Sequence, residues 1–152
     1  MTDLNSIALQ YAQALKQQLI QDKKTATGQL VASIKCEAKI EGKYYSIILN
    51  AKDYFQYVNN GRKAGKFPPL EAIRRWISVK PILPRPLSNG KLPTEKQLSY
   101  LIGRKIAKRG IPATNSLEKS MSSFRLEQKV INSITEIFEN KVNEIIGDFY
   151  EE

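Results

Sequence analysis

Chemistry in this chain has few places to start. The nearest approach to a nucleotide site is Gly61-Arg62-Lys63-Ala64-Gly65-Lys66, a glycine-bracketed basic run of phosphate-loop appearance. A phosphate loop needs four residues between its glycines and a Ser or Thr after its Lys, so that backbone amides wrap the phosphates and a hydroxyl reaches magnesium. Here three residues intervene and Phe67 follows the Lys, so the segment reads as a basic turn. Paired carboxylates could support hydrolysis without histidine, but the central segment offers Asp53, Glu71 and Glu95 on different elements. The chain has no His, which removes His-based triads, general bases and zinc ligands. Its one cysteine, Cys36, allows no internal disulfide or thiolate cluster and reads as a small core hydrophobe. No catalytic residue, cofactor site or metal site is therefore expected, and the chain reads as a non-enzyme.

Binding is better provided for. The chain has 152 residues with 24 basic and 15 acidic side chains, a net charge of +9, and a pI near 9.6. Residues 52–110 hold 14 basic and 3 acidic residues, whereas residues 111–152 hold 4 and 8. A basic middle and an acidic tail suit nucleic acid, an acidic partner, or copies packed head to tail. Candidate contact residues are Arg62, Lys63, Lys66 and Phe67 in the turn, Arg74 and Arg75, and the cluster Arg104, Lys105, Lys108 and Arg109. A helix-turn-helix is excluded by the 15-residue, proline-bearing connection between helices 70–78 and 94–109, since that motif turns in three or four residues.

The elements that position these residues follow from periodicity. Leu4, Ile7, Ala8, Tyr11, Leu15 and Leu19 predict an amphipathic helix over 4–20, and Thr25-Ala26-Thr27-Gly28 a break after it. Ile34, Cys36, Ala38 and Ile40 alternate with charged residues, predicting a strand, with a second over 43–51 and a hairpin spanning about 31–51. A loop at Glu41-Gly42 would pair Ile40 with Lys43, Ala38 with Tyr45, Cys36 with Ile47 and Ile34 with Leu49. Tyr54, Tyr57 and Val58 predict a helical turn stopped at Gly61, and Pro68-Pro69 launch a helix over 70–78 with Leu70, Ile73 and Ile77 on one side. The turn at 62–67 should then project between two held ends, with Phe67 as an apolar anchor. Pro81, Pro84 and Pro86 forbid regular structure up to Asn89-Gly90. Thr94 with Gln97 is a capping box for a helix with the stripe Leu98, Leu101, Ile102 and Ile106, stopped at Gly110. A C-terminal helix is expected over about 116–149, with a break near residues 120–123. Its wide stripe of Val130, Ile131, Ile134, Ile137, Phe138, Val142, Ile145, Ile146 and Phe149 suits packing on a sheet or on a neighbouring subunit.

The expected fold is α+β: a small antiparallel sheet built on a β-hairpin, packed with an N-terminal helix, two short central helices and a long C-terminal helix, all one domain over 1–152. Apolar runs such as Ile47, Ile48 and Leu49 are too short to enter a membrane, and MTDLNSIALQ lacks the layout of a secretory signal.

The stretch DYFQYVNNG, the step into IRRWI and the segment LIGRKIAKRGIP together resemble the tail-component or tail-completion family of long-tailed bacteriophages. The resemblance rests on Tyr54, Tyr57, Val58 and Gly61 after the hairpin, and on Ile106, Gly110, Ile111 and Pro112 before the C-terminal helix. It covers roughly residues 25–125. It implies a non-enzymatic structural protein of the phage neck, made in the host cytoplasm and ending in the virion. Copies would form a homo-oligomeric ring joining the portal or connector to a tail-terminator or tail-tube protein, with at most non-specific contact to packaged DNA and none to membrane. A basic DNA-binding module is the alternative reading.

Overall fold

The computed structural model describes residues 3–24, 27–80 and 82–150, with side chains described up to Asp148. The chain is α+β, with seven helices and one two-stranded antiparallel hairpin in the order α1 Leu4–Gln21, α2 Gln29–Ser33, β1 Lys35–Glu41, β2 Tyr44–Asn50, α3 Phe55–Asn60, α4 Leu70–Val79, α5 Glu95–Arg109, α6 Ser116–Phe124 and α7 Leu126–Tyr150. The break at Thr25-Ala26, the proline at position 81 and the Phe149 side chain of the expected C-terminal stripe lie outside the described residues. Two compact units form: residues 1–23, 31–52 and 116–152 make one, residues 24–30 and 53–115 the other.

In the first unit α1 packs against β1, α6 and α7. Its apolar stripe is as the periodicity predicts: Leu4, Ile7, Ala8, Tyr11, Leu15 and Leu19 are all buried, joined by Ala12, Ile34, Cys36 and Leu126. Each fully buried Leu or Ile removes enough apolar area from water to contribute about 1.5 to 3 kcal/mol. Polar links tie α1 to α6. The buried Tyr11 hydroxyl lies 3.1 Å from Ser120 Oγ, and the Tyr11 and Phe124 ring centroids are 5.9 Å apart. Burial raises the Tyr11 hydroxyl pKa, with the Ser120 hydrogen bond working against that rise. At the other end of α1, Asp22 accepts hydrogen bonds from Ser116 Oγ at 2.7 Å, Lys119 Nζ at 3.3 Å and Gln18 Nε2 at 3.2 Å. Burial opposes ionisation of the Asp22 carboxyl, but the bonds from Ser116, Lys119 and Gln18 together prevail and hold its pKa below the ordinary aspartate value.

The hairpin departs from the expected register by two residues. Glu41 pairs with Tyr44, Ala38 with Ile47 and Cys36 with Leu49, so the two-residue loop is Gly42-Lys43. The reason is conformational. Gly42 sits at φ 60°, and a II′ hairpin turn demands glycine at its first central position. A shift of two preserves which face each side chain takes, so Cys36, Ala38, Ile47 and Leu49 still share a face. Cys36 is buried there, and burial pushes its thiol pKa up, while Lys16 pulls the other way. The strands begin later than expected because residues 31–33 belong to α2, and the hairpin's far end leaves Ile40, Tyr44 and Tyr45 exposed.

The C-terminal helix is two helices, not one. The break falls at Arg125, at φ 53°, rather than in the serine-rich stretch, because the buried Ser120 is held by the Tyr11 hydroxyl and donates to Leu117 O at 2.8 Å inside α6. A left-handed residue costs about 1 to 2 kcal/mol. The turn it makes redirects the chain so that Ser120 on α6 and Leu126 and Ser133 on α7 are all buried.

Candidate interaction surface

The second unit carries the residues singled out in the sequence, and local rules explain how it holds them. α4 starts after Pro69, and Pro at a helix start costs nothing because the first amides have no intrahelical partner. α5 begins with the expected capping box: Gln97 N donates to Thr94 Oγ1 at 3.3 Å and Thr94 N to Gln97 Oε1 at 2.9 Å. Its packing differs from the stripe the periodicity gives. Ser99 and Gly103 are the buried positions, whereas Leu101 is exposed. Gly103 faces the Phe67 ring so closely that a Cβ would stand 2.6 Å from Phe67 Cζ and 3.2 Å from Ile73 Cδ1. The small residues thus seat the large ones, and periodicity of large apolar residues misses that arrangement. The isolated glycine inside a helical pattern is the sequence signal that could have found it.

The turn at 62–67 is accordingly tied down, not projecting. Gly65 N donates to Ala107 O at 2.9 Å, Arg62 Nη2 donates to Lys66 O at 3.2 Å, and Phe67 lies against Tyr100 with centroids 5.6 Å apart. Phe67 remains 42% exposed, so one edge of its ring is open to a partner.

Two segments 49 positions apart meet here. Arg62 N donates to Ile111 O and Ile111 N donates to Arg62 O, both at 2.8 Å, forming a one-pair antiparallel bridge. The residues before it, Gly61 and Gly110, cap α3 and α5 in the same conformation, φ 73° and ψ −169° against φ 71° and ψ −163°. That region is essentially closed to residues with a side chain. The backbone also crosses there without space for one: a Cβ on Gly61 would overlap Ile111 O and stand 2.6 Å from Ala113 N, and one on Gly110 would overlap Arg62 O and stand 3.0 Å from Ala64 N. Asn59 and Thr114 complete the junction. Asn59 O accepts from Thr114 N at 3.1 Å and Asn115 N at 3.0 Å, and Thr114 Oγ1 donates to Val58 O at 2.8 Å, satisfying the last carbonyls of α3. Both side chains are buried and neither was marked by the sequence, in which an Asn before a Gly reads as a plain helix stop.

The bridge therefore brings Val58, Gly61, Ile106, Gly110, Ile111 and Pro112 into one neighbourhood. Tyr54 and Tyr57, on the first turns of α3, are 41% and 59% exposed and so are surface residues. Arg62 is half-buried, and Lys63, Lys66, Arg75, Arg104, Lys105, Lys108 and Arg109 are exposed. Arg74 is half-buried and pairs with Glu71 at 2.9 Å. The other eight candidate cations make no ion pair among the described residues. A shallow depression lined by Leu101, Arg104, Lys105, Lys108 and Arg109 lies on α5. An apolar groove lined by Leu70, Leu87, Lys96, Gln97, Tyr100 and Leu101 lies on the same helix.

Among the described residues no three His, Cys, Asp or Glu side chains are grouped to hold a metal ion, and no helix is long and apolar enough to cross a membrane. Comparison with family models, with curated proteins and with solved structures finds no match.

Proposed function

We propose that this chain is a structural assembly subunit of the neck of a long-tailed phage. Copies form a ring that joins the portal or connector to a tail-terminator or tail-tube protein, and the subunit is made in the host cytoplasm before entering the virion. The observation that carries this reading is the Arg62–Ile111 bridge, which unites the two segments on which the tail-completion resemblance rests. Beside it lie basic side chains without ion-pair partners on a backbone fixed by hydrogen bonds. A ring is a closed set of heterologous contacts, each copy offering one face to a different face of the next, and a chain with a basic middle and an acidic tail carries two such faces. The test is the double substitution Arg62→Glu with Lys63→Glu. It should leave the circular dichroism of the chain unchanged and abolish tail joining in a complementation assay. Normal infectious particles from the double mutant would remove the bridge loop from the interface.

The exposed cluster Arg104, Lys105, Lys108 and Arg109 favours a second reading, a basic module on duplex DNA. Tight, stoichiometric and steeply salt-dependent binding to free DNA would favour it over the first.

A further inference from the structure

The face of α7 turned away from the first unit's core is an apolar seam without a cover. Ile131, Phe138 and Ile145, spaced seven apart, are 49%, 68% and 57% exposed, and Ile146 beside them is also exposed. Seven-residue spacing places all three on one line along a helix. Exposed apolar side chains continuous over this length mark a binding surface. Its surroundings select the occupant. α7 carries Glu127, Glu136, Glu139, Glu144 and Asp148 against Lys129 and Lys141, so a second α7 would bring like charge to like charge, and a nucleic acid would be repelled. A basic surface with an apolar strip is what fits, and this chain supplies one. α5 exposes Tyr100 and Leu101 beside the groove with Leu70 and Leu87, followed along the same helix by Arg104, Lys105, Lys108 and Arg109. The dimensions agree, since Ile131 to Ile145 spans about 21 Å and Lys96 to Arg109 about 20 Å at 1.5 Å per residue.

We infer that the apolar seam of α7 docks on the α5 face of a second copy of this chain. The two helices run parallel, Phe138 lies over Tyr100 and Leu101, and Glu144 and Asp148 lie among Arg104, Lys105, Lys108 and Arg109. This rests on the reading of the chain as a self-assembling subunit and names the pair of faces that join its copies. It is a helix-in-groove contact whose apolar anchor supplies affinity and whose charges fix direction.

Cysteine cross-linking between full-length chains tests it. Phe138→Cys and Leu101→Cys are purified separately, checked by circular dichroism, mixed at equal concentration and treated with a short bismaleimide. The unaltered chain is the control, because Cys36 is buried. The expected product is the mixed dimer between the two variants, with a yield reduced about tenfold by Glu144→Lys with Asp148→Lys and restored when Lys105→Glu with Arg109→Glu is placed on the Leu101→Cys partner. Dimers of Phe138→Cys with itself, or no cross-link up to about 100 μM, would overturn the assignment. So would a link within one chain of the Phe138→Cys, Leu101→Cys double variant at high dilution. These results leave the bridge-loop complementation assay unaffected, so failure of the face assignment is separable from failure of the neck reading.

Discussion

Replacing Gly61 or Gly110 by Ala probes the junction most directly, and its size can be worked from the backbone. Holding a residue with a Cβ at φ near 70° and ψ near −165° costs about 1 to 3 kcal/mol. Here the Cβ would also overlap a carbonyl oxygen of the facing strand, so the two segments must separate and lose the paired 2.8 Å bonds between Arg62 and Ile111. Each lost bond adds about 0.5 to 1.5 kcal/mol. The expected total for either glycine is about 3 to 6 kcal/mol. Gly90 supplies the control, being in the same unit, at the same φ of 73°, with nothing within 4 Å of a built Cβ, so Gly90→Ala should cost about 1 to 2 kcal/mol. Urea denaturation of the three variants gives the ranking. Amide exchange gives the location, because the Arg62 and Ile111 amides should be protected in the parent and in Gly90→Ala and unprotected in Gly61→Ala and Gly110→Ala. Equal small losses in all three variants, with both amides still protected, would refute the crossing.

Three further outcomes are expected. Asp22→Ala should cost about 1 to 3 kcal/mol at neutral pH, since three hydrogen bonds to a charged carboxylate are lost. Because the folded Asp22 pKa is depressed, this contribution is present above the unfolded value of ~3.9 and disappears as pH falls through the folded one, so parent and variant should converge in acid denaturation below about pH 4. Ile34→Asp, at a buried site, should unfold the first unit, whereas Ile47→Asp, at a half-buried one, should cost no more than about 3 kcal/mol by urea titration, and equal losses would contradict the observed packing. Duplex DNA should bind only weakly, with affinity falling about one log unit per log unit of salt for each phosphate neutralised, as filter binding at two salt concentrations would show.

What could be read ahead of the structure divides along physical lines. The α1 stripe, the α5 capping box and the stops at Gly61 and Gly110 were legible because each is set within a few residues, by periodicity or by a cap. The hairpin was legible as a hairpin, but its register turned on which residue takes the positive φ of the loop, and placing Gly42 second in the loop rather than first moved every pair by two. The Arg125 break was not legible, since an arginine in the left-handed region is held by what α6 and α7 bury on either side of it, not by its own preference. The packing of α5 on Ser99 and Gly103 was missed for a related reason: hydrophobic periodicity registers large residues and is silent about the small ones that let Phe67 approach. Of the candidate surface, composition disclosed the cations, while the union of Arg62 with Ile111 depends on a contact between segments 49 positions apart that local patterns do not encode.

The charge asymmetry takes on a sharper meaning once the elements are in place. A basic segment of +11 spread evenly over its unit would favour any polyanion and no particular geometry. Instead α5 places Tyr100 and Leu101 ahead of four cations along one helix, and α7 places Phe138 ahead of Glu139, Glu144 and Asp148 in the same direction. Charge alone would let two copies meet in many orientations, and an apolar contact alone would let α7 meet itself. Apolar and charged residues in matching order favour one orientation and penalise the self-pair through like charge, and a ring requires this, because every subunit must present the same two different faces at the same angle to close.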